Sequence, residues 1–70
     1  MTVKFEELSE SYRQEALDMA IEMVRWILSE NEKYIDEKEV EQMGIELAHQ
    51  REYVIEYDDV YKMNRLYVDY

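Results

Sequence analysis

The 70-residue chain contains no cysteine and no proline, and Gly44 is its only glycine. Without cysteine there is neither a disulfide-stapled scaffold nor a Cys-ligated zinc site. Without proline, and with a single glycine, collagen-like and Pro/Gly low-complexity chains are excluded, and few breakers interrupt long helices. Basic residues are scarce too: 8 Lys and Arg stand against 18 Asp and Glu, a formal net charge of −10. A nucleic-acid binder driven by phosphate contacts needs the opposite balance, and anionic membrane surfaces would repel this chain. Neither direct nucleic-acid binding nor membrane association is therefore expected. The longest apolar runs, such as Met19-Ala20-Ile21 and Trp26-Ile27-Leu28, are three residues long, where a membrane span needs about 20. The opening MTVKFEELSE has no signal-peptide core, so a cytoplasmic location is expected.

What is present is a short acidic chain with enough aromatic side chains, 13% of residues, to favour folding over disorder. A chain of this length buries only ~60% of the surface its unfolded form exposes. Its core rarely supplies more than ~3–5 kcal/mol of net stability. Residues 1–70 are read as one domain, with little room for a deep catalytic pocket and much to gain from a partner.

From Ser11 to Leu28 the residues are mostly good helix formers. On a helical wheel Leu8, Tyr12, Ala16, Met19, Met23, Trp26 and Ile27 share one side, and Leu17, Ala20, Ile21, Val24 and Leu28 widen it to an arc of about 220°. An ordinary surface helix needs a stripe of only about 100°. Either the chain itself covers this helix on two sides, or Leu17, Ile21, Val24 and Leu28 form a self-interface in a homodimer. Ser9 or Ser11 is placed to cap the start, and Ser11 with Gln14 fits a capping box. Residues 29–36 form a break. Asp36 with Glu39 then signals a second helix, running from Glu37 into the fifties. Its stripe is Val40, Met43, Leu47 and Val54, with Gly44 and Ala48 beside it. Gly44 on the inward side points to a close approach to the first helix.

After Tyr57 the apolar positions change phase. Val60, Met63 and Tyr67 lie nearly opposite the Val40–Leu47 stripe, so one straight helix cannot serve both. Asp58 or Asp59 would cap a third, short helix from about Val60. The expected fold is therefore all-α, a small three-helix arrangement. The alternative is α+β with a C-terminal hairpin, since YVIEY is rich in β-formers. No glycine-containing turn supports that hairpin.

Candidate chemistry is sparse. Glu46-Leu47-Ala48-His49 has the Glu-x-x-His spacing that ligates iron or manganese in bundles. A di-metal centre needs two such motifs, and with one histidine the chain would have to build it as a two-fold dimer. The wheel sets Glu46 and His49 on the polar side, so they read as a solvated histidine beside an acid. Neither a metal nor a cofactor is expected, and a metal-dependent enzyme is the weakest functional reading. Nucleophile motifs, Gly-rich phosphate loops and zinc motifs do not occur, so no catalytic residues are assigned.

The charge carries more. Glu15, Asp18 and Glu22 form an acidic strip on the first helix, while Glu37, Glu39, Glu41 and Glu46 crowd the second. Five of the seven tyrosines fall in the last 18 residues. Tyr53, Tyr57, Tyr61 and Tyr67, interleaved with Glu56, Asp58 and Asp59, make a mixed aromatic–acidic surface suited to an Arg-rich groove. These features suggest an inhibitor or regulator that occupies a basic, nucleic-acid-binding surface of a partner protein, as a DNA mimic would. In size and charge alone the chain is similar to small inhibitors of host nucleases carried by mobile elements. The second reading is a helical homo-oligomer with a structural or regulatory role.

Overall fold

The structure is a computed structural model and describes residues 2–31 and 36–69. The chain runs through strand β1 (Val3–Lys4), a 3-10 turn (Phe5–Glu7), helix α1 (Glu10–Glu30), helix α2 (Glu37–Gln50), strand β2 (Glu52–Asp58) and strand β3 (Met63–Asp69). Side-chain caps set where both helices begin. Ser9 Oγ accepts the Tyr12 backbone N–H at 3.3 Å, so Ser9 caps α1 and Ser11 lies inside it. Asp36 caps α2 as its motif indicates, accepting the Lys38 backbone N–H at 2.9 Å. Asn31 closes α1: its backbone N–H and its side-chain amide donate to the Ile27 carbonyl at 3.2 and 2.8 Å. Of the expected break at 29–36, Ser29 and Glu30 belong to α1, and residues 32–35 lie outside the described residues.

The all-α, three-helix expectation is overturned beyond Gln50. Arg51 is extended, with φ −88° and ψ 158°, and ends α2. The chain then forms a hairpin of β2 and β3 where a third helix from Val60 was expected. With β1 this makes an antiparallel sheet of three strands in the order β1-β2-β3. The fold is α+β, not a helical bundle.

The cause is local. Tyr53, Val54, Ile55 and Tyr57 suit a pleated, half-buried surface, and Leu66 and Val68 alternate with Arg65, Tyr67 and Asp69 at the strand period of two. The glycine missing from the turn is replaced by Lys62 in a left-handed conformation, φ 54°. That costs about 1–2 kcal/mol for a residue with a Cβ. Asp58 offsets it by accepting the backbone N–H groups of Val60 at 2.8 Å and Tyr61 at 3.2 Å, as aspartate does in tight turns. Tyr53 and Tyr57 therefore share a strand face, with Tyr61 in the turn.

The helices meet along rows of small side chains. Ala16, Ala20 and Val24 on α1 and Val40, Gly44 and Ala48 on α2 are all buried. A Cβ at Gly44 would stand 2.6 Å from Ile21 Cγ1 and 3.2 Å from Ile21 Cα, so the close approach inferred from the sequence is real. The sheet packs against the same core from another side. Tyr53 and Leu66 cluster with Phe5, Leu8, Ala16, Ala20 and Ala48, and Val3, Met19 and Val68 pack on them. Tyr53 is fully buried, and its hydroxyl donates to the Ala48 carbonyl at 2.7 Å. Burial pushes the Tyr53 phenol above its ordinary pKa, against a smaller opposing effect from Arg51.

Two stability outcomes follow from this packing. Gly44→Ala should gain about 1 kcal/mol in helix propensity but lose about 1–3 kcal/mol to the clash with Ile21. Urea unfolding should show a net loss, and that loss should shrink when Gly44→Ala is made in an Ile21→Ala background, which removes the clashing Cγ1; a gain would mean the helices can separate freely. Tyr53→Phe leaves the Ala48 carbonyl without its buried partner and should cost about 1–3 kcal/mol. An unchanged midpoint would show that water replaces the hydroxyl.

Candidate binding surfaces

Glu15, Asp18 and Glu22 are all exposed along one side of α1. Ion pairs among the described residues are Arg25–Glu37, His49–Glu6 and Arg65–Asp58, so none includes this strip. Asp18 Oδ1 accepts a hydrogen bond from Gln14 Nε2 at 3.2 Å, within the same helix. Beside the strip runs an open groove lined by Met19, Glu22, Met23, Trp26, Arg51 and Val68. Its floor is apolar because the core reaches Met19 but neither Met23 nor Trp26. Trp26 is 61% exposed, a large apolar area left in water. Sequence reading placed Trp26 on the apolar arc without marking it as a binding residue. The available signal was that arc's width, greater than two neighbours of so short a chain can cover.

The four tyrosines assigned to binding do not stay together. Tyr53 is buried in the core. Tyr57, 61% exposed, lies on its strand face, while Tyr67 lies on the other, paired in register with Val54. Tyr61, 64% exposed, sits in the turn, where the Arg65 guanidinium stacks 4.6 Å from its ring centre. Arg65, a residue that the sequence reading passed over, also lies 5.9 Å from the Tyr67 ring and 3.4 Å from Asp58 Oδ2. Tyr67 donates to the same Oδ2 at 3.2 Å. Asp58 is thus engaged inside the hairpin, whereas Glu56 and Asp59 face solvent.

Burial alone would raise the Asp58 pKa. The N–H groups of Tyr61 and Val60, then the Tyr67 hydroxyl and Arg65, outweigh it and bring the carboxyl below its ordinary range. Burial, then the hydrogen bond to Asp58, raises the Tyr67 phenol.

The four residues considered for self-association sit on the α2 side of α1. Val24 is buried, Ile21 lies against Gly44, and Leu17 and Leu28 are half-buried. The pair Glu46 and His49 is not drawn into one site. His49 Nδ1 lies 2.8 Å from Glu6 Oε1, and its ring stacks at a tilt on Phe5 with centroids 4.5 Å apart. This contact ties the 3-10 turn to the end of α2. The hydrogen bond with His49, and then its own backbone N–H, hold the Glu6 carboxyl below its ordinary pKa. Glu46 instead lines a shallow groove with Ile27, Met43 and Leu47. Among the described residues no three His, Asp or Glu side chains are grouped to hold a metal ion, and no helix is long and apolar enough to cross a membrane.

The chain matches no family model, no curated protein and no solved structure.

The hairpin contacts have a pH consequence. A carboxyl whose folded pKa is depressed adds stability above its unfolded value and loses it as the pH falls through the folded one. The Asp58 contribution should therefore be complete above the ordinary value of 3.8 and disappear below it. Asp58→Asn should be less stable than the parent at about pH 7, with the gap closing towards about pH 3 as the parent loses its charge. Equal stability at neutral pH would show that the charge of Asp58 adds nothing; the turn bonds from Val60 and Tyr61, which an asparagine oxygen can also accept, are removed only by Asp58→Ala.

Proposed function

We propose that this protein is a non-enzymatic binding module of the cytoplasm that occupies a basic surface of a partner protein, one that otherwise holds nucleic-acid phosphates, and thereby inhibits or regulates it. The exposed strip Glu15–Asp18–Glu22 carries this reading. Other acids have uses within the fold. Glu10, Glu37 and Glu39 sit in first helical turns, where the helix dipole favours them. Glu37 also pairs with Arg25, Glu6 with His49 and Asp58 with Arg65. The strip has no such return. Glu15 and Asp18, and Asp18 and Glu22, repel one another at about 0.2–0.5 kcal/mol per pair.

A basic partner turns that repulsion into attraction and speeds encounter. At about 1.5 Å of rise per residue, successive carboxylates stand some 5 Å apart along the axis. One DNA strand carries a phosphate about every 3.4 Å. The strip is a sparser version of that row of charge, backed by the apolar groove at Trp26.

The test is capture of partners from nuclease-treated lysate by the tagged protein, at low and high salt, beside a triple variant Glu15→Lys, Asp18→Lys, Glu22→Lys. A nucleic-acid-handling protein should be recovered at low salt, released at high salt, and bound at least about tenfold more weakly by the variant. Capture indifferent to both salt and the substitutions would overturn the proposal.

A further inference from the structure

Strand β3 is the edge of the sheet. Among the described residues its ladder partner is β2 alone, in an unbroken register from Asp58↔Met63 to Glu52↔Asp69. Natural edge strands are usually blunted by proline, bulges, short length or a guarding charge. This edge is seven residues long, has neither proline nor bulge, and its one internal cation, Arg65, is tied to Asp58 and Tyr61. Among the described residues no further strand pairs with its outer side.

The groove meets that strand at Val68. Residues Leu66 and Val68 face the core, and Val68 joins Met19, Met23 and Trp26 in lining the groove. A further strand laid along β3 would alternate its side chains between two faces. Those on the inner face would continue the row of Leu66 and Val68 and enter the groove at Met23 and Trp26. Those on the outer face would meet the row Met63, Arg65, Tyr67 and Asp69, which lies opposite that of Leu66.

We propose that the β3 edge and the Met19–Met23–Trp26 groove together dock an extended protein segment of alternating basic and apolar side chains, added as a fourth strand. The inference rests on the binding reading above and specifies its geometry. Charge chooses the occupant. Glu22 lines the groove, Asp69 ends the strand, and Glu15 and Asp18 continue the negative field along α1; Arg51 is the one cation in the groove lining, and Arg65 on the outer row is already paired with Asp58. A second copy would bring another net −10 and its own Glu22 and Asp69 to the same edge, which like-charge repulsion opposes. A basic segment meets attraction there, and Tyr67 offers its inserted cation an aromatic face. Apolar inner side chains cover Trp26, the kind of exposed anchor that dominates interfaces. Pairing through backbone supplies affinity and the alternate pockets supply specificity.

The probe is a synthetic peptide of about nine residues, alternating lysine and valine, N-methylated along one edge so that it pairs through the other only. Its control is methylated along both edges, which keeps charge and side chains but removes the pairing. The single-edge peptide should bind at least about tenfold more tightly than the control. It should also slow hydrogen exchange at the β3 amides that do not point to β2, and change Trp26 fluorescence. Trp26→Ala should weaken it several-fold while leaving the thermal midpoint in place.

If both peptides bind equally and the triple variant at Glu15, Asp18 and Glu22 abolishes both, the edge inference falls and the acidic-surface reading stands. If neither peptide binds at low salt, the edge inference falls, and the lysate experiment judges the wider reading separately. Equal binding of a threonine-for-lysine peptide would overturn the basic character of the occupant. A free protein that sediments as a dimer with β3 amides already protected would make the occupant a second copy and overturn the assignment.

Discussion

The contact between Gly44 and Ile21 sets the spacing on which the other contacts depend. With a glycine at the crossing, α2 lies so close that a single methyl group would overlap Ile21. The neighbouring positions are small for the same reason: Ala16, Ala20 and Ala48 fill the seam with almost no exposed surface. Close approach hides small residues and displaces large ones to the flanks. On one flank of α1 the sheet covers Met19, while Met23 and Trp26 run past it. On the other, Ile27 and Met43 remain partly in water along a shallow groove. The exposed apolar side chains are thus a geometric consequence of the narrow seam.

The helical half of this arrangement was legible in the sequence. Capping residues, a wide apolar arc and an inward glycine gave two helices, a starting point at Asp36 and the tight crossing. The C-terminal half was misread for a specific reason. A spacing of four residues returns to one face in a helix and in a strand alike, so Tyr53 and Tyr57 could not decide between them. The absence of a turn glycine favours a helix, yet this turn closes without one. Lys62 adopts the left-handed conformation instead, with Asp58 bonding the turn amides. Asp58 was recognised as a cap, which it is in kind, since it satisfies backbone N–H groups at a chain reversal rather than at a helix start. Of the residues proposed for binding, the strip on α1 lies together and exposed, whereas the tyrosines are divided among core, turn and both sheet faces. Side-chain destinations of that kind depend on strand register, which a single sequence does not display.

The acidic surplus separates into groups with different physical roles once the fold is known. Carboxylates at helix starts stabilise the helices they begin. Glu6 and Asp58 hold pieces of chain together: Glu6 links the 3-10 turn to α2 through His49, and Asp58 organises the hairpin with Arg65 and Tyr67. Neither group is free to serve a partner without loosening the fold. Glu15, Asp18 and Glu22 belong to a third group, mid-helix and outside the ion pairs among the described residues. Net charge alone does not distinguish these groups, because every aspartate and glutamate counts equally in it. Position along the helix and the identity of the neighbouring donor do.

Binding and stability are coupled in a chain built this way. Alanine and glycine at the seam bury little apolar area per residue, so much of the core depends on Phe5, Leu8, Val24, Val40, Tyr53 and Leu66. An occupant that covers Met23 and Trp26 would remove from water surface that folding leaves exposed. Any ligand that binds only the folded form stabilises it in proportion to RT ln(1 + [L]/Kd). In the proposed mode, charge and apolar contact divide the work. The strip attracts a basic partner over distances up to about 8–10 Å at ordinary ionic strength, and so governs encounter. Burial at the groove and pairing along β3 act only after contact, and so govern how long the complex lasts.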